Sequence, residues 1–153
     1  LYIFNSITCI HRSGLCREIA WTGTKMKNSS LRILVVDDEK DMRIILYKFL
    51  SRGGHMVRTV DNGAEAITAT QDEDYDLVLC DLVMAEVFGY DVIKEMNKLE
   101  KRPKVGIITG LGEKLKTTDE EGYEVDFILK KPFKFSELTE QINNAMNEEC
   151  TNG

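Results

Sequence analysis

The sequence predicts an α/β fold: a doubly wound five-stranded parallel sheet in a three-layer (βα)5 sandwich. Three observations carry this. From Leu31 onward, short β-branched runs alternate with apolar stripes at helical spacing, the pattern of parallel strands joined by crossover helices. The run Asp76-Leu77-Val78-Leu79-Cys80 is nearly continuous in apolar residues, as a strand covered on both faces demands. Five strand-helix units fill roughly 120 residues, and right-handed crossovers of so few units give an open sheet, since a closed barrel needs eight.

Taken in order, Arg32 to Val36 is a buried strand. Met42, Ile45, Leu46, Phe49 and Leu50 then recur at helical spacing until Gly53-Gly54 stops the helix. Met56 to Val60 is the second strand, and Ala64, Ala66, Ile67 and Ala69 mark a short helix. The third strand is Asp76 to Cys80. Gly89 precedes a helix with Val92, Ile93, Met96 and Leu99 inward. Lys104 to Ile108 forms the fourth strand, Glu113 to Glu121 a weak polar helix, and Asp126 to Leu129 the fifth strand. The last helix uses Phe135, Leu138, Ile142, Ala145 and Met146.

With 153 residues, 42% hydrophobic and 30% charged, the chain has the size and balance of one globular domain. No window approaches the roughly 18 apolar residues of a bilayer-spanning helix, and mean hydropathy is -0.26. The net charge of -6 repels phosphate backbones, so nucleic acid is not expected as a direct partner. Cys9, Cys16, Cys80 and Cys150 are scattered without a CxxC pair, which indicates neither a zinc site nor a disulfide framework and points to a reducing cytoplasm. Residues 1–30 carry Arg12, Arg17, Lys25 and Lys27 against Glu18 alone and show no clear period. They are expected to be an extension outside the fold, disordered or foreign to the native protein. Residues 31–148 are expected to be the domain and 149–153 a tail too short for a DNA-binding output domain.

Ligands of open α/β sheets bind at the carboxyl ends of the strands. There the first strand delivers Asp37-Asp38, the third Asp81, the fourth Thr109 and the fifth Lys130-Lys131-Pro132. Any one of these could be an ordinary cap or solvated turn. Together, three carboxylates need protonation or a divalent cation to stay close, and hard oxygen ligands with open positions suit Mg2+. Lys131 adds a second positive charge and Thr109 a hydrogen-bond donor. Such a site suits a phosphoryl group in transit, with Asp81 able to act as the nucleophile. Lys130 is set aside because adjacent strand residues face opposite ways.

On Asp37-Asp38, Asp81-Leu82-Val83-Met84 followed by Gly89, Thr109-Gly110 and Lys131-Pro132-Phe133, in that order and spacing, the chain resembles the receiver domain of two-component response regulators. That is the CheY-like variant of the flavodoxin-like fold, and the resemblance runs from Leu31 to Glu148. It implies that Asp81 is the phosphoacceptor and that Asp38, Asp81 and the Val83 carbonyl bind Mg2+, with Asp37 acting partly through water. Thr109 and Lys131 would each contact a phosphoryl oxygen, and Lys131-Pro132 would be a cis peptide. The implied partners are a sensor histidine kinase or phosphotransfer protein and an unspecified downstream protein. The chain itself would be a monomer or weak homodimer.

Three positions depart from the family pattern. Ala85 stands where Pro is usual and Gly110 where Ala is usual. Ile128 occupies the place of the usual aromatic switch, and Phe127, facing the other way, cannot replace it. Switching is then expected to run through Thr109 and the polar helix after it. Val83 and Leu111, each two residues past a site residue, are apolar where a polar side chain could orient an attacking water, so loss of phosphate from Asp81 is expected to be slow.

Two rivals lack a residue they need, and a third stands as the alternative. An aspartate-nucleophile hydrolase would carry a second acid at Val83, and a flavodoxin-like cofactor carrier would need a Ser/Thr/Gly-rich loop in place of Asp37 to Asp41. The third is a pseudo-receiver that binds partners without being phosphorylated, an idea that Ile128 favours and the intact acids, Thr109 and Lys131 oppose.

Overall fold

A computed structural model describes residues 30–84, 89–110 and 124–147. The strands are β1 (Arg32–Val36), β2 (Met56–Val60), β3 (Leu77–Cys80), β4 (Lys104–Thr109) and β5 (Phe127–Lys130). The helices are α1 (Lys40–Arg52), α2 (Gly63–Asp72), α3 (Gly89–Asn97) and α4 (Phe135–Asn147). The strands form one parallel sheet in the order β2-β1-β3-β4-β5, so the order reverses at β1 and β3.

Alternation along the strands sorts the core into layers. Ile33, Val35, Leu77, Leu79, Ile108, Phe127 and Leu129 face α1 and α4, where Leu46, Leu50, Leu138 and Ile142 meet them. Leu34, Val36, Val78 and Cys80 face α2 and α3 and pack on Ala66, Ala69, Val92 and Met96. A third cluster of Leu82, Ile93, Val105, Ile107 and Val125, flanked by Tyr90 and Ile128, continues that second face toward β5. The doubly wound sandwich predicted from the sequence is therefore the observed fold, with Phe127 and Ile128 on opposite faces.

Local chemistry explains where the elements stop. α1 ends at Gly53, and Gly54 takes a φ of 89°, which an L side chain rarely adopts. α2 begins at Asn62, whose side chain accepts from the Glu65 amide at 2.8 Å.

Several boundaries differ from expectation. Asp76 and Asp126, predicted as strand residues, sit just before β3 and β5. Each turns its carboxylate onto a neighbouring strand's amide: Asp76 accepts from Arg32 at 2.7 Å and Asp126 from Val105 at 2.8 Å. Leu99 lies past the end of α3 and is half-buried. Ile45, placed in the inward stripe of α1, is 47% exposed, because the helix turns Leu46 and Leu50 to the sheet. Residues 113–121, expected to be helical, lie outside the described residues, as do Ala85, Leu111, Cys9, Cys16 and Cys150.

Candidate functional site

The carboxyl edge of the sheet gathers the polar residues that the core excludes. Asp37, Asp81 and Thr109 are the buried polar residues among those described, and all three immediately follow or end a strand. Hydrogen bonds to neighbouring strands fix their backbones. The Asp37 amide donates to the Val60 carbonyl at 3.3 Å, the Asp81 amide to Val36 at 2.9 Å and the Lys131 amide to Thr109 at 2.8 Å.

Lys131 brings the side chains together. Its Nζ donates to Asp81 Oδ2 at 2.7 Å and to Asp37 Oδ2 at 3.2 Å. The remaining carboxylate oxygens find backbone donors: the Val83 amide reaches Asp81 Oδ1 at 3.0 Å, and the Glu39 amide reaches Asp37 Oδ1 at 2.8 Å. The peptide between Lys131 and Pro132 is cis, as expected.

The electrostatics of the pair are unequal. Burial pushes the Asp37 carboxyl above the usual carboxylate range, and the Asp81 charge adds to it. The Glu39 amide and Lys131 pull the other way without cancelling the shift. Burial alone would lower the Lys131 ammonium, yet its contacts with Asp81 and Asp37 hold it above the ordinary lysine value. The two directions are compatible, because the Asp37 side chain is only 3% exposed against 18% for Lys131. Asp37 bears the larger desolvation cost. Cys80, directly beneath, is buried and its thiol is pushed far upward by burial and by the two acids, which makes it an inert core side chain.

Asp38, the residue after Asp37, is exposed, and Val83, two residues past Asp81, is 53% exposed. Among the described residues no three acidic, histidine or cysteine side chains converge as a ready-made metal cage. Two carboxylates do converge, and they share one ammonium. That donor set fits Mg2+, which takes one or two carboxylates and keeps several waters. Asp37 and Asp81 are the side chains that would hold it, and Asp38 is the adjacent acid in the chain.

Two further residues shape the site: Gly89, already a motif position in the sequence, and Arg43, which sequence reasoning missed. A Cβ on Gly89 would stand 2.5 Å from the Asp81 carbonyl oxygen and 2.8 Å from Leu82 Cα, so only glycine lets α3 start against the Asp81 loop. Arg43 donates to the Asp37 carbonyl at 2.6 Å. A basic residue near a helix N-terminus runs against the helix dipole, and that mismatch was the available signal. Lys130 is exposed and outside the cluster, as its alternate facing required.

A parallel sheet with buried acids and a lysine at its carboxyl edge defines a phosphoryl- or cation-binding α/β module, and comparison with known proteins specifies which one. The response regulator receiver domain family matches residues 33–143, and the chain belongs to that family, the receivers of two-component systems. It is 32% identical over 115 residues to the response regulator receiver protein CpdR of Brucella abortus, covering 75% of this chain and 96% of CpdR. It is 36% identical over 118 residues to the response regulator SaeR of Staphylococcus aureus, covering 74% of this chain but only 50% of SaeR. Among solved structures it resembles TrrA of Thermotoga maritima in complex with Mg(2+)-BeF, with TM-score 0.68 and 33% identity, covering 75% of this chain and 98% of TrrA. TrrA has also been solved in complex with the histidine kinase ThkA. No helix among the described residues is long and apolar enough to cross a membrane.

Proposed function

We propose that this receiver accepts a phosphoryl group on Asp81 from a phosphohistidine donor and passes the signal on by a change of shape. The observation that carries the reading is the Lys131 ammonium held between Asp37 and Asp81 at 3.2 and 2.7 Å. An Asp81 oxygen attacks phosphorus, the phosphorus–nitrogen bond breaks, and the imidazole leaves with the electron pair. The product is an acyl phosphate. Lys131, already on Asp81 Oδ2, offsets the charge that gathers on the phosphoryl oxygens, and the Thr109 hydroxyl supplies a donor from the end of β4. The Val83 amide steadies Asp81 Oδ1, and Oδ2 reacts as Lys131 shifts from it to a phosphoryl oxygen. Asp37, Asp38, Asp81 and the Val83 carbonyl would hold Mg2+, which would supply charge neutralisation for the transfer.

The chain catalyses only its own phosphorylation and dephosphorylation and turns over no external substrate. A histidine kinase or phosphotransfer protein as donor is supported by the ThkA complex of TrrA. The exposed side chains of Ile44 and Ile45 on α1 and of Phe135 on α4 offer such a donor an apolar foothold. A cytoplasmic setting and a monomeric or weakly dimeric state complete the reading.

The test is intact-protein mass after incubation with acetyl phosphate and Mg2+, with Asp81→Asn and EDTA controls. The expected result is a gain of one phosphoryl group, lost in both controls. A folded protein that gains nothing would instead be a phosphorylation-independent interaction module.

A further inference from the structure

Arg43 sits in the first turns of α1 with only 18% of its side chain exposed, low for an arginine. Nη1 donates to the Asp37 backbone carbonyl at 2.6 Å, and Nη2 stands 4.0 Å from Asp61 Oδ2 just past the end of β2. The guanidinium thus spans the two loops that flank the acid cluster on the β2 side.

The carbonyl it holds is a telling one. That oxygen and the Asp38 amide share one planar peptide unit, so fixing the oxygen fixes the direction in which the chain leaves Asp37 and where the Asp38 side chain is launched. The Asp37 carboxylate has its own restraints in the Glu39 amide and Lys131. Asp38 is exposed, and among the described residues nothing hydrogen-bonds its carboxylate. Its aim therefore depends on the backbone beneath it. An ammonium on the carboxylates, such as Lys131, competes with a metal ion for the same oxygens. A guanidinium on a backbone carbonyl does not.

We infer that Arg43 is a positioning residue for divalent-cation binding: it clamps the Asp37 carbonyl and so presets Asp38 beside Asp37 and Asp81. This rests on reading those acids as a Mg2+ site. It adds a residue that touches neither the metal nor the phosphoryl group.

The experiment measures Mg2+ affinity without phosphorylation, by amide chemical-shift titration of the full chain. The parent is compared with Arg43→Gln, Arg43→Lys and Asp61→Asn, with folding checked by thermal melts. Arg43→Gln is expected to bind Mg2+ about tenfold more weakly, equivalent to about 1.4 kcal/mol. Arg43→Lys should lose roughly threefold, because a point charge replaces the planar fork. Asp61→Asn should stay within about twofold of the parent, as expected of an exposed pair at the limit of contact. A folded Arg43→Gln with parental affinity overturns the inference, as does an Asp61→Asn loss equal to that of Arg43→Gln. If Arg43→Gln does not fold, Arg43→Lys decides: a loss at unchanged melting temperature supports the inference, and parental affinity overturns it. A parent that binds no Mg2+ removes the metal-site reading and this inference together.

Discussion

The ring of Phe127 lies across Gly106: a Cβ on that glycine would stand 2.3 Å from Phe127 Cζ. The two residues are paired in register on β4 and β5, and the ring takes the space where a β4 side chain would otherwise point toward α1 and α4. Phe127 is 4% exposed and is therefore a core residue, while Ile128 faces the other cluster beside Tyr90.

Gly106→Ala should accordingly push the ring off its seat and destabilise the fold by about 1–3 kcal/mol, the usual cost of overpacking. Urea unfolding measures this, and Phe127→Leu in the same chain should recover part of the loss. An alanine variant as stable as the parent would mean the ring repacks freely.

Burial holds the Asp37 carboxyl above its unfolded value of 3.8. The folded state then binds more protons than the unfolded state between those two values, so the stability contributed at low pH is lost as pH rises through the folded pKa. Asp37→Asn removes this penalty at neutral pH. We expect it to raise stability by about 1 kcal/mol without metal and to weaken Mg2+ binding. Melting temperature with and without Mg2+ checks both halves; a variant destabilised without metal would show that the Lys131 contact outweighs desolvation.

Val83 presents an exposed apolar side chain next to Asp81 while its amide holds Oδ1. Nothing on that side chain can orient water at an acyl phosphate. Val83→Asn should speed loss of the phosphoryl group by about tenfold, a barrier change of about 1.4 kcal/mol. Decay of the phosphorylated mass after donor removal measures it, and equal decay rates in variant and parent would count against a role for this side chain in the lifetime of the phosphoryl group.

His55, in the turn between α1 and β2, accepts from the Leu31 amide through Nδ1 at 3.3 Å, and its Nε2 is buried without a partner. Burial lowers its pKa below 6.5. The unfolded state then binds more protons between the lowered value and 6.5. The stabilisation is thus complete above 6.5 and falls as pH drops toward the folded pKa. Denaturant unfolding at pH 7.5 and 5.5 should show the loss, and His55→Gln should flatten that slope; a variant with the parental slope would assign it to other groups.

Much of this molecule is readable in one dimension. The five strands, the sheet class and the acids at the strand ends follow from local alternation and apolar runs, because period and burial are set by neighbours in sequence. The same reasoning separated Lys131 from Lys130 and Phe127 from Ile128, since a strand must send adjacent side chains to opposite faces. Ile45 shows its limit: helical spacing gives a stripe but not its centre, and of the five stripe residues packing against the sheet buried Leu46 and Leu50 and left Ile45 outside. Asp76 and Asp126 read as strand residues until a neighbouring strand's amide claimed their carboxylates.

The sequence alone determined which residues meet at the carboxyl edge, since topology brings strand ends together whatever the side chains do there. Only the tertiary structure decided how they share charge. One ammonium from beyond β5 serves two acids just past β1 and β3, burial falls more heavily on Asp37 than on Lys131, and Arg43 reaches a backbone carbonyl that no motif marks. These depend on distances and desolvation between segments far apart in the chain, which a linear pattern does not carry.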